Sequence, residues 1–277
     1  MNSNERLNFF PWYGGKHYFL KYLFPFPEHD LFIDVFGGSA VVLLNKVPSK
    51  NEIYNDINKE LVNLWLVIQK AHKDFQEKCM KHNLDSRAWF EEYQQKTSDI
   101  LENAFRFFYC IMHGFSGLTT GFHGYHDQYN TKQITYLNTI NEIPKIWERI
   151  KFVCFECQDF RLLLKRFDIP NALWYLDPPY VNGGEQYEKN QGGMHWELKD
   201  LKDLSDILKT TKNTNWILSI DDKTYFNESN YYFQEVERIN SVSKTHERSR
   251  SMEYIIRNFN PKLMTKQRTK GQTKLEF

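Results

Sequence analysis

The sequence LWYLDPPY, residues 173–180, decides the fold. Its apolar first half predicts a buried strand, which must end at Asp177 because neither Pro178 nor Pro179 can donate a hydrogen bond to a sheet. Pro179 also holds Pro178 in an extended conformation. Asp177 and the Pro178 carbonyl therefore provide two acceptors beyond the carboxyl end of a strand, where open α/β sheets bind their ligands. With the Tyr180 ring beside them, these acceptors suit an exocyclic amine on a flat heterocycle.

The alternative is an ordinary strand-to-loop turn, since Asp and Pro are common turn residues. The remainder of the chain distinguishes the two. The whole chain has 277 residues, 41% of them apolar, which is enough for one large α/β domain or for a domain with an insertion. No apolar run approaches the roughly 18 residues of a membrane span. The polar N-terminus is not followed by the apolar segment of a signal peptide, so we expect a cytoplasmic protein.

Cysteine and histidine patterns predict no bound metal. Cys154 and Cys157 have the spacing of a zinc ligand pair, but no second pair is present to complete the site. Cys154 lies in the apolar run 152–155, which predicts a strand, and we expect it to pack in the core. His123 and His126 lie in a glycine-rich loop without further ligands nearby.

Charge is unevenly distributed along the chain, although the net charge is only +1. Residues 238–274 contain ten Lys or Arg side chains against two Glu side chains. Such a basic end attracts a polyanion. A solvated tail that keeps the protein in solution is the competing interpretation.

A strand, a glycine turn and a buried helix follow one another near the N-terminus. Residues 31–35 predict the strand, residues 36–39 the turn, and the apolar run 40–44 the helix. In nucleotide-type sheets this unit places bare backbone and a helix N-terminus at the ligand. The next strand ends at Asp56, which is placed to accept hydrogen bonds from ribose hydroxyls or to cap the following helix.

Residues 71–149 carry helical patterns but no strand of the parallel sheet, so we predict an inserted subdomain there. Residues 1–70 and 150–277 would form the α/β domain. The loop 181–196 has four glycines and no periodic pattern, which indicates a mobile lid beside Asp177. Two strand-like runs, 231–236 and 252–259, are expected to close the sheet as an antiparallel edge.

Four motifs in this order resemble the Dam-type (D12 class, α-group) DNA adenine-N6 methyltransferases. They are FPWYGGK at residues 10–16, DVFGGS at 34–39, NDIN at 55–58 and DPPY at 177–180. The resemblance implies an α/β, Rossmann-like methyltransferase fold, with a mostly parallel sheet, an antiparallel edge strand and a mainly helical target-recognition subdomain at 71–149. It also implies transfer of a methyl group from S-adenosylmethionine to N6 of an adenine flipped out of double-stranded DNA.

The resemblance further implies three sets of site residues. The catalytic set is Asp177, Pro178, Pro179 and Tyr180, of which Tyr180 would stack on the base. The S-adenosylmethionine set is Trp12, Lys16, Asp34, Phe36, Gly37, Gly38, Ser39, Asp56, Asp159, Phe160 and Asp177. The DNA-binding set is Ser116, Thr119, Thr120, His123, Lys244, Arg248 and Arg250. For this assignment to hold, Asp177 must face the same space as the turn at 36–39.

The partners expected from the family are double-stranded DNA and, in a bacterial or phage setting, a cognate restriction enzyme. The protein is expected to be a monomer or weak dimer. Family members that methylate GATC carry a basic residue in the loop corresponding to 116–120, which here contains neither Arg nor Lys. A bidentate contact to guanine is not available from that loop, and the recognition site stays open. Methylation of adenine in RNA, or nucleic-acid binding without catalysis, are the alternative functions.

Overall fold

The computed structural model describes residues 6–123, 131–180, 196–227, 229–239 and 250–264. Its strands are β1 (Leu31–Asp34), β2 (Asn51–Asn55), β3 (Cys154–Glu156), β4 (Ala172–Leu176), β5 (Asn215–Ile220), β6 (Tyr232–Ile239) and β7 (Arg250–Arg257). Within the described residues these strands form one sheet in the order β3-β2-β1-β4-β5-β7-β6. Strands β1 to β5 are parallel, so their carboxyl ends meet at one edge, hereafter the carboxyl edge.

The antiparallel part of the sheet is a hairpin of β6 and β7. Strand β7 is antiparallel to both β5 and β6, and it lies between them. Strand β7, which is antiparallel to β5, is thus one position in from the edge of the sheet, and β6 occupies the edge itself. The two strand-like runs are confirmed as sheet, but their order within it could not be derived from their order in the chain.

The helices are α1 (Leu20–Leu23), α2 (Val41–Asn45), α3 (Lys59–Lys81), α4 (Arg87–Tyr93), α5 (Ile100–His113), α6 (Thr131–Ile150), α7 (Phe160–Arg166), α8 (Leu198–Thr210) and α9 (Pro261–Met264). Short 3-10 turns cover His17–Phe19 and Phe115–Gly117. None of the helices in the described part of the chain is both long and apolar enough to cross a bilayer.

One buried cluster lies on each face of the sheet. The first contains the inward side chains of α2, α3, α5 and α6 together with Phe32, Tyr54 and Tyr175 from the strands. The second contains α7 and α8 with Trp174 and Trp216 from β4 and β5. Burial on both faces explains why β4 is apolar at every position, as parallel strands between two layers must be.

The helices of 71–149 pack in the same cluster as the sheet. Phe108 of α5 lies against Phe9, Phe10 and Phe75, and all four side chains are fully or almost fully buried. Helix α3 crosses the predicted boundary at residue 71, where Ala71 has non-helical backbone angles and the helix kinks. The division into an α/β domain and an inserted subdomain stays a prediction.

Two expectations about the end of α6 and the start of β3 are wrong. Phe152, expected in the strand, precedes it and is 88% exposed. Cys154 is exposed rather than packed in the core. Strand β3 has only three residues and lies at the edge of the sheet, so its side chains are covered less than those of the central strands.

Candidate active site

Side chains from the carboxyl edge surround one cavity. The strand ends of β1, β2 and β4, the segment that leads into α7 and the segment that leads into α8 all contribute to it. Its lining residues are Val35, Phe36, Asn55, Asp56, Ile57, Gln158, Asp159, Phe160, Asp177, Pro179 and Trp196. Asp177 and Phe36 therefore face the same space, as the sequence prediction requires.

The glycine turn after β1 is packed too closely for larger residues. A Cβ atom on Gly37 would lie 2.1 Å from the Tyr54 ring, and one on Gly38 would lie 2.9 Å from the Trp12 indole. Gly38 also has φ of +50°, in the left-handed region that favours glycine. The Tyr54 hydroxyl donates to the Gly38 carbonyl at 2.7 Å. Trp12 thus supports the turn from outside.

Asp56 holds this turn in place and does not cap α3. Its Oδ2 accepts from the Gly38 N–H at 3.0 Å, and its Oδ1 accepts from the Asn58 N–H at 2.9 Å. The cap of α3 is Asn58, whose Oδ1 accepts from Glu60 and Leu61. The capping alternative for Asp56 is therefore wrong. Burial raises the pKa of Asp56, against the effect of its backbone donors.

Three aromatic rings form one wall of the cavity. The ring centroids of Phe36, Phe160 and Trp196 lie 5.4–5.5 Å from one another. Trp196 is 5% exposed although it directly precedes α8. The cavity volume is about 40 Å³, which is small for a nucleoside. We therefore expect lining side chains to move when a nucleoside binds there.

Asp159 has a structural task at the start of α7. One carboxylate oxygen accepts from the Arg161 N–H at 2.8 Å and caps the helix, and the other pairs with the Arg161 guanidinium at 3.1 Å. Arg161 also contacts Asp200 and Asp203 of α8. These bonds fix Asp159 at the rim, and each of its oxygens keeps a further lone pair for a ligand.

Asp177 is joined to the N-terminal motif by an ion pair. Its Oδ1 lies 2.9 Å from the Lys16 Nζ, and the two side chains are 17% and 4% exposed. The Lys16 ammonium also lies 4.8 Å from the centroid of the Tyr180 ring. Burial, with Asp177 and Glu253 nearby, raises the pKa of the Tyr180 hydroxyl well above its usual value.

Asp34 is a deeply buried acid near the cavity, and it does not line the cavity. It ends β1 and accepts a hydrogen bond from the Leu43 N–H in the first turn of α2. Burial, and then the carboxylates of Asp177 and Asp56, raise its pKa well above the usual value. Burial therefore favours the protonated form of Asp34.

The predicted DNA-binding residues divide into described and undescribed ones. Thr119 and Thr120 lie in a loop closed by a bridge between Gly114 and Phe122, and His123 directly follows that bridge. This loop touches the N-terminal motif, since a Cβ atom on Gly117 would lie 2.4 Å from the Pro11 carbonyl oxygen. The side chains of Ser116 and Arg250 are outside the described structure, as are Lys244, Arg248 and the predicted lid at 181–195.

Two further expectations about charge and metal can be compared with the structure. Arg257, counted in the basic end, is buried and donates to the Tyr22 carbonyl at 2.7 Å, so it is not available to a polyanion. In the described residues, His, Cys, Asp and Glu side chains form no group that could hold a metal ion.

Five residues around the site were missed by sequence reasoning. Asn55 and Gln158 clamp β2 to the segment before α7, since the Gln158 N–H donates to Asn55 Oδ1 at 2.9 Å. Their positions next to Asp56 and Asp159 were the available signal. Ile57 lies within the NDIN motif but was given no role, and Trp196 and Glu253 reach the site through tertiary packing that no local motif indicates.

This cavity at the carboxyl edge, with acids after β2 and β4, is typical of α/β folds that bind nucleotides. The family model of the D12 class N6 adenine-specific DNA methyltransferases matches residues 12–247. The chain belongs to this family, and its predicted Rossmann-like methyltransferase fold is confirmed. The family supports methyl transfer as the activity.

Similar solved structures were found, whereas no curated protein sequence matches the chain. A candidate methyltransferase of Escherichia coli, yhhF, is 9% identical with a TM-score of 0.38, covering 87% of this chain and 82% of that one. A conserved hypothetical protein of Streptococcus pyogenes is 10% identical with a TM-score of 0.33, covering 87% and 94%. Precorrin 8W decarboxylase of Methanobacterium thermoautotrophicum is 10% identical with a TM-score of 0.35, covering 83% and 82%. At these values the three proteins indicate nothing about the substrate of this chain.

Proposed function

We propose that this protein is an S-adenosylmethionine-dependent methyltransferase that modifies N6 of adenine in double-stranded DNA. The observation that carries the proposal is the shared cavity: Asp177 of the DPPY motif, the Phe36 turn and Asp56 line one space at the carboxyl edge. An ordinary turn at DPPY would not need to face the glycine turn.

The side chains of the cavity fit S-adenosylmethionine by their chemistry. Asp56 offers a carboxylate to ribose hydroxyls at the end of the second strand. Phe36, Phe160 and Trp196 offer apolar ring surface to an adenine, with Asp159 at the rim. The backbone of Gly37 to Ser39, and Trp12 behind it, would hold the methionine end. When bound, the cofactor supplies an activated methyl group: the new N–C bond forms as the C–S bond breaks and leaves a thioether.

Asp177 and the Pro178 carbonyl prepare the nucleophile. Adenine N6 is a poor nucleophile because its lone pair is delocalised into the ring. When Asp177 and the Pro178 carbonyl accept the two N–H bonds, the lone pair is turned towards the methyl group, and catalysis is largely positioning and electrostatics. Positive charge develops on N6 during transfer, so the Asp177 carboxylate stabilises the transition state more than the ground state. The proton that N6 must lose passes to Asp177.

Tyr180 would hold the base after it leaves the duplex. Extruding a nucleotide costs a few kcal/mol. Stacking of an adenine on an aromatic ring contributes about 1–3 kcal/mol, which offsets much of this cost. Lys and Arg side chains in the basic C-terminal region would contact phosphates, which position the protein without reading sequence.

The proposed activity is tested with purified protein, methyl-labelled S-adenosylmethionine and unmethylated nucleic acid. Duplex DNA and RNA are supplied separately, and N6-methyladenine is measured by mass spectrometry after digestion. Label on adenine N6 of DNA is expected. Label on RNA only would identify an RNA methyltransferase. Nucleic-acid binding without any label would identify a non-catalytic binding protein.

Two variants test the assigned roles. Asp177→Ala should lower kcat on the order of 1000-fold, because it removes an acceptor aimed at the developing charge, and should leave DNA binding nearly unchanged. Asp206→Ala, at an exposed position of α8, is the control and should keep full activity. Tyr180→Ala should lower kcat/KM roughly 10- to 100-fold through lost stacking. Near-normal rates for the Asp177 variant would refute the catalytic assignment.

A further inference from the structure

The antiparallel strand brings an additional carboxylate to the site. Because β7 runs against β5, its early residues lie at the carboxyl edge: Tyr254 pairs with Ile220, the last residue of β5. Glu253 precedes Tyr254 and is 1% exposed. A carboxylate this deeply buried is strongly destabilised unless it interacts with a cation or with hydrogen-bond donors.

Glu253 and Asp177 face the same ammonium group. The Lys16 Nζ is 2.9 Å from Asp177 Oδ1 and 3.7 Å from Glu253 Oε2. It also donates to the Gly14 carbonyl at 3.2 Å. The Tyr18 hydroxyl donates to Glu253 Oε1 at 3.5 Å, so the carboxylate is held from a second side.

The ion pair creates a problem for the proposed reaction. Asp177 must accept an N–H bond from the substrate amine, but the Lys16 ammonium beside its Oδ1 draws on the same negative charge and weakens the carboxylate as an acceptor, although Oδ2 keeps its own lone pairs. If Asp177 were the ammonium's single carboxylate neighbour, moving the ammonium away would leave a buried cation without a counter-ion. Because Glu253 Oε2 lies only 3.7 Å from the Lys16 Nζ, the flexible lysine side chain needs to shift by about 1 Å to form a charged hydrogen bond with Glu253.

We propose that Glu253 is a positioning residue that takes over Lys16 when the substrate amine binds to Asp177. The inference rests on the proposed function. In the free enzyme Lys16 keeps Asp177 ionised and oriented, and in the complex Glu253 draws the ammonium away from Asp177 Oδ1. Glu253 acts through Lys16 and does not itself touch the reacting atoms.

The kinetic test is a double-mutant cycle between Glu253→Gln and Lys16→Met. In the wild-type background, Glu253→Gln should lower kcat on the order of 100-fold, as misplacement of a reacting group does, with the KM for S-adenosylmethionine changed less than about twofold. In the Lys16→Met background the same substitution should change kcat less than about twofold, because no ammonium has to be displaced. Glu253→Asp should recover part of the lost rate.

Matched controls separate this role from a structural one. Glu235→Gln makes the same change on the neighbouring strand β6, where Glu235 is exposed and pairs with Lys223; it should keep wild-type kcat. Tyr18→Phe removes the hydroxyl that contacts Glu253 but leaves Lys16 in place. The positioning role would be wrong if Glu253→Gln lowered kcat equally in the wild-type and Lys16→Met backgrounds. It would also be wrong if the substitution raised the KM for S-adenosylmethionine as much as it lowered kcat.

A measurement without substrate distinguishes failure of the inference from failure of the proposed function. NMR of protein labelled in its lysine side chains reports the surroundings of the Lys16 ammonium through its chemical shift, and the signal is identified by its loss in Lys16→Met. Glu253→Gln should change that chemical shift and Glu235→Gln should not. Absence of this change overturns the coupling even if the wild type methylates DNA. The change in a protein that methylates no nucleic acid supports the coupling and refutes the proposed activity.

Discussion

At the scale of single residues, acids crowd the carboxyl edge, and Asp34 is the one whose burial has the clearest consequence. Its raised pKa means that the folded state binds a proton which the unfolded state releases near pH 4. The stabilising contribution of protonated Asp34 is complete below the unfolded pKa and is lost as the pH rises through the folded pKa. We predict that Asp34→Asn, which cannot ionise, gains stability relative to wild type as the pH rises from 4 to 8.

Urea unfolding at a series of pH values measures this difference. Asp168→Asn is the control. Asp168 lies just after α7 and is not enclosed as Asp34 is, since its Oδ1 accepts from the N–H groups of Asn213 and Thr214 at a turn near the surface. A stability difference between Asp34→Asn and wild type that stayed constant over this range would show that Asp34 is ionised in the folded protein throughout.

Trp196 is the residue whose position most directly limits access to the cavity. Its ring packs against Phe36 and Phe160 in the lining of the cavity, so a nucleoside bound there would contact or displace it. We predict that S-adenosylmethionine changes the tryptophan fluorescence and that Trp196→Phe removes most of the change. Trp147→Phe, on α6 away from the cavity, is the control and should keep it. An undiminished signal in Trp196→Phe would mean that the ligand enters elsewhere.

At the scale of helices and strands, local sequence predicted much of the molecule. The strand predicted to end at Asp177 is observed at 172–176, because a continuous apolar run that stops at two prolines admits few other structures. The glycine turn also lies where it was predicted. Trp196 and Glu253 could not be found in this way: one reaches the cavity from the far side of an undescribed loop, and the other depends on β7 lying between β5 and β6.

Helix α6 is joined to the sheet by a buried charge cluster that local sequence did not indicate. Arg149 Nη1 lies 2.6 Å from Glu52 Oε2, and Lys46 Nζ lies 2.5 Å from Glu52 Oε1. All three side chains are at most 8% exposed. Burial, despite the adjacent Glu52, lowers the pKa of Lys46 to about 8. A single carboxylate thus neutralises two cations beneath the start of β2.

Removing that carboxylate should be costly. We predict that Glu52→Gln lowers the unfolding free energy by about 3–5 kcal/mol, the usual effect of leaving a buried partner unpaired. Glu148→Gln breaks an exposed pair with Lys151 near the same end of α6, and should cost about 0.5 kcal/mol or less. Chemical denaturation measures both. Equal effects of the two substitutions would show that the cluster does not stabilise the attachment of α6.

At the scale of the whole molecule, the helices of 71–149 and the sheet share one buried cluster. Helices packed in this way are not expected to move independently of the strands that carry Asp177 and the glycine turn. Pro11 and Gly117 are in contact as well, so the loop of Thr119 and Thr120 is tied to the motif that supplies Lys16. Binding at that loop is therefore mechanically connected to the catalytic edge.

The shared cluster predicts that the described helices and the sheet unfold as one cooperative unit. Phe108→Ala removes a fully buried ring from α5 and should cost about 3–5 kcal/mol. Hydrogen exchange followed by mass spectrometry should then show faster exchange in β4 and β5 by the same factor as in α5, because all three open in one global event. Ile100→Ala, which is 67% exposed at the start of α5, should change neither. Faster exchange in α5 with unchanged strands would instead make residues 71–149 a separately folding subdomain.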